Sequence, residues 1–90
     1  MAKRAFLLLE IKVAKVEETV NALKQIKGVK SADRVTGPYD AIAVLEGEDL
    51  IVIGDLEASI IQRIPHISRV VTCISLTWPC AKTSSPLPLG

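Results

Sequence analysis

Val35-Thr36-Gly37-Pro38-Tyr39-Asp40 separates a polar strand pattern from the apolar run Ala41-Ile42-Ala43-Val44-Leu45. Proline at the second position of Gly37-Pro38-Tyr39-Asp40 pre-sets the backbone angle for a tight turn. The turn stands where two strands meet, so it predicts a hairpin. It also carries the single tyrosine of the chain. No other segment is as well placed to touch a ligand.

Upstream of the turn, residues 29–36 read as a strand interrupted by Lys30, Ser31, Asp33 and Arg34. Downstream, residues 41–45 form a strand that is apolar throughout. Residues 5–11 are another strand, with apolar residues on both faces from Ala5 to Leu9. Residues 16–26 predict a helix, because Val16, Val20, Leu23 and Ile26 recur as one stripe. Glu17 and Glu18 near its start and Lys24 and Lys27 near its end suit the helix dipole. Gly28 follows as a helix-terminating residue.

After a Gly47-Glu48-Asp49 loop, Asp49 is placed to cap a second helix over residues 50–64. Its core stripe is Ile53, Leu56, Ile60 and Ile64, and Pro65 ends it. Residues 67–76 read as a fourth strand. Beyond Trp78, which reads as packing at the strand end, the composition turns to Ser, Thr, Pro and Gly. This divides the chain into a domain over residues 1–78 and a loose tail over residues 79–90.

A faint repeat supports the order. Leu23-Lys24-Gln25-Ile26-Lys27-Gly28-Val29 parallels Ile61-Gln62-Arg63-Ile64-Pro65-His66-Ile67, each a helix end, a link and a strand start. Two strand-helix-strand units joined by a tight hairpin predict an α+β, ferredoxin-like βαββαβ fold. Its four-stranded antiparallel sheet has order 4-1-3-2. That order centres the first and third strands, the most continuously apolar ones, and puts the polar second strand at an edge.

Two helices cover one face of such a sheet. The central strands are apolar on both faces, and no remaining segment is long and apolar enough to cover the second. An exposed face of that kind exceeds the few hundred Å² typical of a monomer's largest apolar patch. The expectation is therefore a dimer, sheet against sheet. Ile51, Val52 and Ile61 lie off the main stripe of the second helix and mark either a further contact or scattered surface positions.

Ninety residues, half of them apolar, make one globular domain. Eleven basic and ten acidic residues are dispersed, and only Lys3 and Arg4 adjoin, so no basic stripe marks a nucleic-acid surface. The run Phe6-Leu7-Leu8-Leu9 is too short to span a bilayer, and Glu10 and Lys12 interrupt it before a signal-peptide core forms. The reading is cytoplasmic. Cys73 and Cys80 are poorly spaced for a disulfide, and with one histidine they give no metal-site spacing. Cys73 reads as a small buried apolar residue. No nucleophile–histidine pair and no Gly-rich phosphate loop is visible, so no catalytic residue, metal or cofactor is assigned.

Several single residues have a plain reading beside a functional one. Gly37 and Pro38 shape the hairpin, while Tyr39 packs and Asp40 closes the turn. As a site, Gly37 backbone groups would approach a ligand, Tyr39 would wall the pocket and Asp40 would accept hydrogen bonds from an ammonium group. Thr72 is a β-branched strand residue, or a hydroxyl for a ligand carboxylate if it faces an interface. His66 reads as a solvated loop residue.

From residue 5 to residue 76, about four-fifths of its length, the chain resembles the effector (RAM) domain of the Lrp/AsnC family. The carrying residues are 23–29, the Gly-Pro-Tyr-Asp turn with residues 35–46, Ile64-Pro65-His66-Ile67, and Thr72. The resemblance implies dimers formed through the sheet, gathering into tetramers or octamers. It implies amino-acid effectors bound between dimers near the turn, with Thr36, Gly37, Tyr39 and Asp40 as ligand-binding residues and Thr72 as a further one. The family usually has glycine where His66 stands and often threonine where Val70 stands. The chain resembles the stand-alone form that lacks a helix-turn-helix, with no direct contact to nucleic acid or membrane. The expected function is regulation of transcription or amino-acid metabolism, acting alone or in mixed assemblies with full-length family regulators.

Two other classes share this fold and size. One is a small dimeric α+β-barrel enzyme, a cofactor-free monooxygenase or isomerase, with its pocket between sheet and helices. The other is a purely structural oligomer. The enzyme and the sensor differ in where the cavity lies, within a subunit or between dimers.

Overall fold

A computed structural model of the chain describes residues 2–77. The elements run β1 (Lys3–Ile11), α1 (Val16–Lys24), β2 (Val29–Arg34), β3 (Ala41–Gly47), α2 (Leu50–Arg63) and β4 (Ile67–Ile74). The sheet is antiparallel, in the order β2-β3-β1-β4, the arrangement expected from the hairpin and the strand polarity. The expectations for Trp78, Cys80 and residues 79–90 fall outside the described residues.

Strand alternation sorts the two faces. Ala5, Leu7, Leu9 and Ile11 of β1 and Ala41, Ala43 and Leu45 of β3 are buried beneath the helices. Val20 and Leu23 of α1, Ile53 and Ile60 of α2, and Ile64 just beyond it complete the core. Leu56, Val16 and Ile26 pack against it from partly buried positions.

The helix ends carry the details. Asp49 caps α2, its Oδ1 accepting from the Val52 N–H at 2.9 Å. Helix α1 stops at Lys24, two residues short of the expected end. Beyond it Gln25 and Ile26 donate to Ala22 and Leu23 at 3.1 Å, tightening the last turn. Gly28 therefore serves the following turn rather than the helix cap, with φ +100°. A Cβ there would meet Leu56 Cδ2 at 2.7 Å, so α2 also packs down onto this position.

The second sheet face has no cover among the described residues. Phe6 stands between Val44 and Cys73, and Leu8 between Ile42 and Val71. These side chains lie on the face away from the helices. Cys73 is exposed, not buried as expected. The reason is its place on an edge strand, on the uncovered face. Ion pairs frame the patch: Arg4–Glu46 at 2.6 Å and Glu10–Arg69 at 3.6 Å.

Candidate functional site

The β1–β3 ladder ends at the Leu9–Ala41 pair. Asp40 comes next, and its backbone N–H donates to the Leu9 carbonyl at 2.8 Å. Its own carbonyl accepts from the Val35 N–H at 3.0 Å and closes the hairpin. The β1 backbone shifts register between Glu10 and Ile11. The Ile11 N–H finds its acceptor in Asp40 Oδ2, at 2.8 Å. One carboxylate oxygen thus ties the hairpin to the central strand. Oδ1 accepts no hydrogen bond among the described residues.

Thr36, Gly37 and Pro38 are exposed, and Tyr39 and Asp40 are half-buried. Gly37 has φ +121°, a region that L side chains rarely adopt. Among the described residues, a Cβ built there meets nothing within 4 Å. Backbone conformation, not crowding within the chain, requires this glycine. The space above it is open, and a ligand or a second chain can approach the backbone closely.

Thr36, Gly37, Tyr39 and Asp40 therefore share one short turn. Thr72 does not join them. It pairs with Leu7, which puts it on the helix side of β4, at the sheet edge opposite the β2–β3 hairpin. Its Oγ1 donates to Glu57 Oε1 of α2 at 2.8 Å. His66 is partly buried, with Nε2 3.5 Å from Glu18 Oε2. Sequence pattern alone could not reveal the Asp40–Ile11 and Thr72–Glu57 bonds, which join residues far apart in the chain.

A wide depression lies at the other end of β3. It has a volume of about 600 Å³ and an apolar floor of Val52, Leu56 and Gly28 beneath Lys27 and Lys30. Nothing in the residue pattern marked it, since its walls come from four separate segments. Among the described residues no group of three or more His, Cys, Asp and Glu side chains is arranged to hold a metal ion. No helix among them is long and apolar enough to cross a membrane.

These observations define a class: a small α+β module with one sheet face under its helices, one open apolar face, and an exposed Gly-Pro hairpin. Residues 4–84 match the model of the Lrp/AsnC ligand binding domain, and the chain belongs to that family. It is 33% identical over 86 residues to the HTH-type transcriptional regulator Ptr1 of Methanocaldococcus jannaschii, covering 94% of this chain and 56% of that protein. The chain thus spans about half the length of that relative.

Among solved structures it is similar to hypothetical protein PHS023 from Pyrococcus horikoshii. The identity is 29% and the TM-score 0.77, over 84% of this chain and 90% of that one. E. coli AsnC superposes with a TM-score of 0.77 at 22% identity, over 93% of this chain and 57% of that one. The siroheme decarboxylase NirDL reaches 0.71 at 22% identity, over 84% of this chain and 25% of that one. At such identities the likeness carries the fold alone.

Proposed function

We propose that the chain is a cytoplasmic regulatory module that dimerises through its open sheet face and binds a small amino-acid effector at contacts between dimers. The hairpin carries this reading. It presents the open backbone of Gly37 and a carboxylate whose second oxygen is unspent beside it. An ammonium group suits that oxygen, and backbone N–H groups suit a carboxylate. Thr36 and Tyr39 would flank the ligand. Thr72, on the far edge, would contribute only if another subunit brings it to the turn.

The interior supports binding rather than catalysis. A barrel enzyme would place its pocket between sheet and helices. That space is filled by Leu7, Leu9, Leu45, Ile53 and Ile60, all no more than 2% exposed. The dispersed charges favour a domain that senses an effector and acts on regulators of its own family, by mixed assembly, without gripping nucleic acid itself.

Two measurements test the proposal. A thermal-shift screen against the twenty amino acids should find one or more that raise the melting temperature with increasing concentration. No response to any of them would favour a purely structural oligomer. Leu8→Asp puts a charge at the centre of the open face and should turn the dimer into a monomer in sedimentation. A variant that remains dimeric would refute the sheet-to-sheet contact.

A further inference from the structure

A small cleft lies between α1 and the end of α2. Glu18 and Thr19 of α1 line it, together with Arg63 of α2 and His66 of the following link. Its volume is about 110 Å³. That is room for several waters, and well below the roughly 300–1,000 Å³ of a site for a drug-sized ligand. An occupant of this size is a small ion or the head group of a larger molecule.

Two groups at the cleft are unspent. Thr19 is 1% exposed, yet its Oγ1 has no hydrogen-bond partner among the described residues. A buried hydroxyl left unpaired weakens the fold, and no contact within the described chain accounts for it. The Arg63 guanidinium is exposed and has no carboxylate partner among the described residues. Its place in the last turn of α2 suits the helix dipole, which explains the charge but not the Thr19 hydroxyl beside it. Glu18 is the one carboxylate among the described lining residues, and both its oxygens are engaged. Lys15 Nζ lies 3.7 Å from Oε1, and His66 Nε2 lies 3.5 Å from Oε2. Glu18 thus holds the imidazole at the cleft while Lys15 offsets its charge.

We propose that this cleft binds a tetrahedral oxyanion: the phosphate group of a free phosphate ion or of a small phosphorylated molecule. Arg63 supplies a planar fork of charged donors, Thr19 a hydroxyl donor and His66 a ring nitrogen. Water alone would satisfy Thr19. The guanidinium converging on the same cleft selects an anion instead. The site shares no residue with the Gly37–Asp40 hairpin and does not depend on an amino-acid effector binding there.

Nuclear magnetic resonance of the ¹⁵N-labelled full chain tests this, with inorganic phosphate replacing chloride at fixed pH and ionic strength. Saturable shifts should centre on the amides of Thr19, Arg63 and His66. Thr19→Val and Arg63→Gln should each weaken binding by about five-fold or more. Thr19→Ser, which keeps a hydroxyl, should retain it, and so should Lys30→Gln, which removes a lysine from the distant depression. The spectra themselves report that each variant folds. Glycerol 3-phosphate, run in parallel, identifies the source of the group: tighter binding than phosphate assigns it to a larger molecule, equal or weaker binding to the free ion. Shifts that do not saturate, that leave Thr19 and His66 unmoved, or that weaken as much in Lys30→Gln as in Arg63→Gln would overturn the site. Unchanged affinity in Thr19→Val would do the same.

Discussion

At Asp40 the structural role can be separated from the ligand-binding role proposed for it. Replacing it with alanine removes the acceptor of the part-buried Ile11 N–H, a bond of 2.8 Å. Hydrogen bonds to charged groups contribute about 1.5–3 kcal/mol, and leaving a donor unpaired incurs its desolvation. Water reaches this site, because Asp40 is only half-buried. The lower part of the range applies, about 1.5–2 kcal/mol. For a domain of this length each kcal/mol shifts the melting temperature by roughly 4–8 °C. Asp40→Ala should therefore melt roughly 6–16 °C below the wild type.

Asp40→Asn keeps an oxygen for Ile11 and loses only the charge. It should cost about 1 kcal/mol or less. The assay is thermal or urea denaturation at one fixed protein concentration, since association adds to apparent stability. Alanine and asparagine variants within about 0.5 kcal/mol of each other would refute the structural role. The asparagine variant then becomes the proper ligand test. It should fold and assemble, yet lose the thermal response to any effector held by its ammonium group. An unchanged response would remove Asp40 from the site.

Three further outcomes follow from backbone and core geometry. Gly37→Ala, at φ +121°, should lower stability by about 1–2 kcal/mol in urea denaturation despite the open space around it. Ala14 is the mirror case: at φ +73° it bears left-handed strain, and Ala14→Gly should stabilise the fold by up to about 1 kcal/mol after the added unfolded-state entropy. Thr19 is 1% exposed and its hydroxyl finds no partner among the described residues, so the isosteric Thr19→Val should raise the melting midpoint by about 1 kcal/mol of stability.

Much of the fold was legible because local chemistry and long-range order agreed. Pro38 announced the hairpin, Asp49 the cap of α2, and the polarity of residues 29–34 the edge strand. Two readings gave way to the folded arrangement, at Cys73 and at Gly28. Cys73 looks buried in an apolar run, but its alternation with Thr72 and its edge position place it on the uncovered face. Gly28 looks like a helix cap, but two tightened hydrogen bonds intervene. Thr72 donates to Glu57 of α2, a bond that no local pattern shows.

By itself, the sequence determined the elements, their order, the sheet topology and the presence of apolar residues on both faces. Periodicity and turn chemistry are local properties, and they suffice for that. The tertiary structure decided which oxygen of Asp40 remains unspent, why Gly37 must be glycine, and that Thr72 lies away from the turn. It also separated Ile51 and Ile61, which face outward on α2, from Val52, which lines the depression at the end of β3. Apart from the backbone angle at Gly37, those facts depend on partners distant in the chain, and only strand register and helix rotation bring such partners together.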